Sequence, residues 1–340
     1  LTNVSGIGIY TNDENGHGAH VSSIALSSAN TGGRDPKFSG VAPDAYLISV
    51  KAFKADGSGT YLDVIRGIDW VVANKDLYNI RVLNLSFSTP PRSYYWEDPL
   101  NQAVMAAWEA GIVVVASAGN TGPEPMTIGV PGNVPYVITA GAMTDNYTPG
   151  ASDDDTMASF SAAGPTHEGF VKPDIVAPGG HMLGLMRNDM RIAIDHPHLH
   201  DGANYFEMSG TSQSAAVFSG VVALVVSADQ GLSPDDVKCR LIDSARPAIT
   251  ATGELAYSPL QQGAGMIDAY AALDIEIQQV YGLTETCGPA CLTDSEAART
   301  KVGSTGKAFF HTDVKIVDAD GVECPPNVAG EVLVKGPHIM

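Results

Sequence analysis

The chain has 340 residues, enough for one large core or for two domains. Hydrophobic residues make up 44% and charged residues 17%, and the formal net charge is −19. That excess of acid argues against nucleic acid and against anionic membrane surfaces as partners, and no apolar run reaches the length of a transmembrane helix.

The first residue is Leu1, and no signal peptide precedes the first motif, so the N-terminus reads as cut. Four cysteines are too few and too uneven for a disulfide framework. Cys239 stands alone, and Cys287, Cys291 and Cys324 fall near the end. Cys287-x3-Cys291 has no second pair at zinc-site spacing. No metal centre is assigned.

In Asn15-Gly16-His17-Gly18-Ala19-His20-Val21, glycines flank His17 and leave its ring reachable from outside. The stretch reads as a loop opening a small-residue helix. His20 follows on the same helical side, and a structural role is expected for it. Residues 46–53 read as a strand. Residues 60–75 read as a helix, with Val64, Ile65, Ile68, Val71 and Val72 on one face and Thr60 with Asp63 as a cap. Residues 81–88 form a nearly continuous apolar strand. Asp98 with Pro99 starts a second helix and Gly111 ends it. Strands are expected at 112–117, 136–142 and 172–178.

Apolar strands alternating with helices indicate an α/β fold, a parallel sheet with helices on both faces. Ligands of such sheets lie beyond the carboxyl ends of the strands. Ser86, Phe87 and Ser88 end one strand there. Ser117, Ala118, Gly119 and Asn120 end another. Residues 180–206 read as a long insertion loop whose His196, His198 and His200 are a solvated patch by default.

The loop leads to Met208-Ser209-Gly210-Thr211-Ser212-Gln213-Ser214-Ala215-Ala216, a small-residue turn running into the apolar stretch 217–226. Ser212 at a helix mouth is either an ordinary N-cap or an exposed nucleophile beside a free N–H donor. Ser233-Pro234-Asp235-Asp236 caps one more helix. After about Asp274 the grammar changes. Short antiparallel strands are expected over 274–340, including 313–317, a turn at Asp320-Gly321, and the stretch from Gly330 to Gly336.

Serine, histidine and an amide on one edge make acyl transfer the natural reaction class. Ser212 would attack a carbonyl carbon. His17 would take its proton and return it to the leaving group. Asn120 and the Ser212 N–H would hold the oxyanion.

Residues 1–273 resemble a subtilisin-like serine peptidase, a subtilase. The likeness rests on the His17 motif, on Ala116-Ser117-Ala118-Gly119-Asn120, and on Gly210-Thr211-Ser212-Gln213-Ser214-Ala215-Ala216. Gly40-Val41-Ala42-Pro43 and Lys172-Pro173-Asp174-Ile175-Val176-Ala177-Pro178-Gly179 also match. The resemblance implies a subtilisin-like fold with His17 as general base, Ser212 as nucleophile and Asn120 as oxyanion donor. It implies a peptide or protein substrate lying as an extended strand. Ser86, Phe87, Ser88, Ser117, Ala118 and Gly119 would line a first pocket favouring apolar or aromatic side chains. It further implies secretion, a monomeric enzyme and no required cofactor. Calcium is common as a structural ion in that family, with Asp153-Asp154-Asp155 and the loops near Asp35 as candidates, but no ligand set is readable. Gln213 and Ala216 replace the usual Met and Pro, with little effect expected.

One departure is serious. The family orders its triad Asp, His, Ser, yet no acid precedes Asp13, and Asp13 and Glu14 abut the histidine loop. The triad Asp and its strand are therefore expected to be missing. In the family's type enzyme, losing that Asp lowers kcat by about 3 × 10⁴. A Ser-His dyad would retain slow hydrolysis, and a silent peptide-binding relic is the alternative. An α/β-hydrolase is disfavoured because no G-x-S-x-G occurs.

The tail resembles a piece of an adenylate-forming acyl-CoA synthetase, carried by Tyr281-Gly282-Leu283-Thr284-Glu285-Thr286 and Gly330-Glu331-Val332-Leu333-Val334-Lys335-Gly336. It lacks the phosphate loop that such chemistry needs. A non-catalytic fragment is expected, joined to the first part by rearrangement of the coding sequence.

Overall fold

A computed structural model of the protein describes residues 2–3, 13–28, 39–148, 154–250, 252–274, 280–283, 288–293, 304–308, 312–326 and 328–336. The chain forms two compact units, Leu1–Leu273 and Asp274–Met340.

The first unit opens with β1 (Thr2–Asn3) and α1 (His17–Leu26), then β2 (Val50–Lys51), α2 (Tyr61–Tyr78), β3 (Val82–Leu85), α3 (Pro99–Glu109) and β4 (Val113–Ser117). It continues through β5 (Ile138–Thr144), β6 (Thr156–Met157), β7 (Ile175–Pro178), β8 (Met182–Leu185), α4 (Arg191–Asp195) and β9 (Tyr205–Met208). It closes with α5 (Thr211–Ala228), α6 (Pro234–Ser244), α7 (Pro259–Gln262) and α8 (Ala269–Ala272).

Strands β3, β4, β5 and β7 pair in parallel, and β6 adds antiparallel to β5. Val113 to Ala116 are wholly buried, as strands covered on both faces must be. Their β-branched side chains pack with Val104, Ala107, Ile138, Phe218 and Val222 in the main core. Thr60 caps α2 by accepting from the Asp63 N–H at 3.2 Å. Asp98 caps α3 by accepting from Leu100 and Asn101, and Ser233 with Asp236 forms a capping box on α6.

α5 runs through this core. It extends the apolar run 217–226 to 18 residues, long and apolar enough by composition to cross a membrane, but 72% of it is buried inside the domain. It is the core helix against which the sheet packs.

Two expectations are corrected. Residues 46–53 do not form a full strand. Among the described residues only Val50 and Lys51 have a ladder partner, the two residues of β1, and Tyr46 is 99% exposed. Residues 180–206 are not a plain loop. Met182–Leu185 pairs antiparallel with Tyr205–Met208, and α4 and a 3₁₀ turn at Pro197–Leu199 lie between them. The alternation is masked in the sequence because Leu183 and Leu185 face solvent while Gly184 and Phe206 face inward.

In the second unit β10 (Val280–Leu283), β11 (Gly288–Leu292) and β12 (Lys307–Ala308) make an antiparallel sheet, and β13 (Asp313–Val317) pairs antiparallel with β14 (Glu331–Lys335). Asp318 accepts from the Asp320 and Val322 N–H groups and shapes the turn at Asp320-Gly321.

Candidate active site

The parallel sheet places its strand ends together. Gly210 enters the α5 turn with its N–H on the Gly179 carbonyl at 2.8 Å, just after β7. Ser212 then sits in the first turn of α5 and is 8% exposed. Its hydroxyl donates to the Ser86 carbonyl at 3.1 Å, and the Ser86 hydroxyl donates to the Ser212 carbonyl at 2.8 Å. This reciprocal pair fastens the turn to the end of β3. Among the described residues the Ser212 backbone N–H has no acceptor. It is a free donor at a helix N-terminus, where the dipole favours negative charge.

Asn120 follows β4 and is exposed. Its side-chain oxygen accepts from both the N–H and the hydroxyl of Thr211, each at 2.9 Å. The Thr211 hydroxyl in turn accepts from the Gly119 N–H at 3.2 Å. With its oxygen so occupied, Asn120 directs Nδ2 to the Gly210 side, where a methyl on Gly210 would lie 3.4 Å away. An amide donor and a free backbone donor thus flank the serine.

The six pocket residues take different parts. Ser88 is exposed at the strand end. A methyl added to Gly119 would lie 3.1 Å from its Oγ, and one added to Gly129 would lie 2.9 Å from its Cβ. Ser117 is buried and donates to the Phe87 carbonyl at 2.9 Å, tying the two walls together. The Phe87 ring meets Phe53 at 5.3 Å and packs on the core. Ala118 is buried with Ile128 and Ala162. Ser86 serves the nucleophile turn. Of the six, Ser88 and the backbone at Gly119 therefore lie in close contact at the strand ends. Ser117, Ala118 and Phe87 support them.

His17 begins α1 and is half-buried. Burial lowers its pKa below the ordinary histidine value, and the Asp13 charge opposes that shift. The Asp13 carboxylate accepts from the Asn15, Gly16 and Ala19 N–H groups at 3.1, 2.9 and 2.7 Å. It caps α1 rather than backing the imidazole. Among the described residues no carboxylate hydrogen-bonds the His17 ring, and no hydrogen bond joins His17 to Ser212. β1 carries Thr2 and Asn3 and no acid. Residues 4–12 lie outside the described residues.

His200 belongs to the hairpin, with Nε2 donating to the Met186 carbonyl at 2.9 Å. His196 and His198 are exposed. Among the described residues no group of three His, Cys, Asp or Glu is placed to hold a metal. Asp35, Asp153 and Cys287 lie outside the described residues. The Asp154 carboxylate accepts from the Thr148 hydroxyl.

Sequence reasoning missed Thr211 and Gly129. Thr211 stands inside the serine motif, and its hydroxyl beside a side-chain amide is the only signal it offers. Gly129 lies in an irregular stretch and shows its place only through its approach to Ser88.

A family model described as the subtilase family matches residues 5–266, and one described as AMP-binding enzyme matches residues 262–340. The chain is 43% identical over 232 residues to Serine protease AprX of Bacillus subtilis (strain 168), covering 66% of this chain and 52% of that protein. It is 32% identical over 265 residues to Subtilisin DY of Bacillus licheniformis, covering 77% and 79%. It thus spans about half the length of AprX. Among solved structures, the S41 psychrophilic protease superposes with a TM-score of 0.61 at 26% identity, covering 76% of this chain and 82% of that one. Sphericase superposes with a TM-score of 0.62 at 24% identity, covering 78% and 83%, a likeness of fold. The parallel sheet, its buried central helix and its ordered motifs are those of a subtilisin-like α/β fold, and the chain belongs to the subtilase family.

Proposed function

We propose that the first unit is a subtilisin-type serine endopeptidase. The observation that carries this reading is the double anchoring of Asn120 by Thr211 beside the unpaired Ser212 N–H. Two donors held at one point suit an oxyanion that forms only as the carbonyl is attacked. Ser212 Oγ attacks the scissile carbonyl carbon, and its proton passes to His17. His17 then protonates the leaving amine. Water repeats the sequence in reverse to free Ser212. The hydroxyl must first leave the Ser86 carbonyl and turn to His17. Among the described residues no carboxylate bonds the His17 ring, and a carboxylate partner there would fix its orientation. Activated esters are expected to react more readily than peptides.

The substrate adds as an extended peptide beside Ser86 to Ser88, with an apolar side chain near the strand ends that carry Ser88 and Gly119. The chemistry draws on side chains and backbone alone. Calcium, if bound, serves the fold. The same reading places the enzyme outside the cell, acting as a monomer.

The test is labelling of the whole chain by a fluorophosphonate, with Ser212→Ala as control. Labelling lost in Ser212→Ala supports the proposal. Ester hydrolysis that persists unchanged in that variant sinks it. The engagement of the Ser212 hydroxyl by Ser86 also favours a second reading, a silent peptide-binding relative. That reading expects no label but saturable binding of extended peptides.

For the second unit we propose a non-catalytic fragment of an adenylate-forming enzyme. Support comes from the match over 262–340 and from the lack of a glycine-rich phosphate loop in residues 274–340. ATP–pyrophosphate exchange with a carboxylic acid would overturn it.

A further inference from the structure

His20 takes no part in the chemistry above, yet its ring is fully buried and doubly bonded. Its Nε2 donates to the Phe206 carbonyl at 2.9 Å. Its Nδ1 accepts from the Gln213 amide at 3.3 Å. With its proton on Nε2 the ring satisfies both bonds, and the Met182 carbonyl also acts on it. Burial pushes the ring's pKa down to about 4, against the pull of the Phe206 carbonyl. The imidazole therefore stays neutral, and Nδ1 stays an acceptor through the neutral pH range.

The placement of these partners is specific. Phe206 lies on β9, the strand that leads into the Ser212 turn. Gln213 is the residue immediately after Ser212. His20 thus grips both flanks of the segment that presents the hydroxyl. It stands one helical turn beyond His17 on α1. One buried ring joins the helix bearing the candidate base to both ends of the turn bearing the candidate nucleophile.

The surroundings are shaped to this ring. A methyl added to Gly184 would come within 2.7–2.8 Å of His20 Cδ2, Cγ and Nε2. The backbone of β8 lies flat against the imidazole, and only glycine fits there. Ser23, the next residue on that face of α1, donates to the His20 carbonyl and accepts from the Leu185 N–H, both at 2.7 Å. Gln213 is 1% exposed. Its Oε1 lies 2.7 Å from the point where a Gly210 Cβ would stand, so the missing side chain of Gly210 makes room for the amide. A methionine at 213 would fill the same volume but could not donate to Nδ1.

We propose that His20 and Gln213 are positioning residues, and that their hydrogen bond sets the Ser212 turn against the His17 helix. On this account Gln213 matters to the rate, against the expectation of little effect. The proposal rests on Ser212 being the nucleophile, and the experiment separates the two.

Three quantities are measured on the full chain: the rate of Ser212 labelling by a fluorophosphonate, the ¹⁵N resonances of the His20 ring, and the thermal unfolding midpoint. Gln213→Met is expected to slow labelling by about tenfold, the scale of a small misplacement of reacting groups. It should move the His20 Nδ1 resonance and leave the unfolding midpoint close to that of the parent. His20→Asn, which keeps an acceptor near the Nδ1 position, should label faster than His20→Leu. Combining Gln213→Met with His20→Leu should cost no more than His20→Leu alone, as for residues that act through one bond. Labelling of Gln213→Met within twofold of the parent overturns the proposal. So does a rate loss that merely follows the unfolding midpoint. If the parent itself takes no label, the nucleophile reading fails and the positioning role falls with it. The Nδ1 resonance then still reports whether the link exists.

Discussion

The Asn120 side-chain oxygen is held at two points by a single residue, the N–H and the hydroxyl of Thr211, each at 2.9 Å. The arrangement leaves the amide one free direction, and its donor takes it. Asn120→Leu keeps the volume but removes the donor. It is expected to lower the hydrolysis rate by about 10²–10³-fold, the loss found for such a donor in subtilisin, a relative of this chain. Thr211→Val removes only the hydroxyl and should cost about tenfold, since the backbone N–H still orients the amide. Thr211→Ser should restore the rate. Esterase kinetics on the three variants check this. Equal losses in the Val and Ser variants would remove the hydroxyl from the account.

The pH dependence follows from His17. Burial lowers its pKa below the ordinary value, with Asp13 opposing. A lowered value favours the neutral ring, which is the form that accepts a proton. The neutral fraction is therefore retained as pH falls below about 6.5, the ordinary histidine value. The acid limb of the labelling rate is expected to have its midpoint below that pH. A midpoint above it would show that a carboxylate acts on the ring.

Much of this site was legible in the sequence, and the reasons differ by residue. Val113 to Ala116 read as a buried parallel strand because all four are apolar. The end of that strand then fixed where Asn120 must lie. Ser212 and His17 stood out through the small residues around them. The partners were hidden. Thr211 orients Asn120 across 91 positions of sequence, and His20 reaches Gln213 across 193. Neither local propensity nor periodicity reports a contact between residues so far apart. Phe87 misled for another reason. It sits at the strand end, where a pocket residue belongs, but Phe53 draws its ring toward the core.

Specificity is expected to turn on Ser88. Its side chain stands between Gly119 and Gly129, and methyls added there would meet it at 3.1 and 2.9 Å. Ser88→Gly should widen the pocket, and Ser88→Val should narrow it. Relative kcat/KM for esters with alanine and phenylalanine at the acyl position checks this. One to a few methylenes in a pocket are worth about 10–200-fold in discrimination. The preference for phenylalanine should rise in the Gly variant and fall in the Val variant by amounts within that range. An unchanged ratio in both variants would move the pocket elsewhere.

The last prediction concerns stability. The Lys172 ammonium is fully buried and donates to Val137 O at 2.9 Å and to Asp174 Oδ2 at 2.6 Å. Lys238 lies 3.0 Å from the other Asp174 oxygen and also donates to Val137 O at 2.9 Å. Two ammonium groups thus share one carboxylate. Burial is the largest influence on Lys172 and pushes its pKa down to about 7. Asp174 opposes the shift and Lys238 adds to it. The folded value lies below the lysine value of about 10.4 expected when unfolded. Between those two pH values the unfolded chain binds more protons, so stability should rise with pH across that window and gain nothing below it. Lys172→Met removes the titrating group. Val137 O keeps Lys238, and Asp174 keeps Lys238 and the Thr139 N–H at 2.7 Å. The variant should fold and should lose the rise. Urea midpoints between about pH 6 and about pH 10 measure it. Lys238→Met should also flatten the rise, because Lys172 then has Asp174 to itself and holds its proton to higher pH. A rise that survives Lys172→Met unchanged would place the titration on another group.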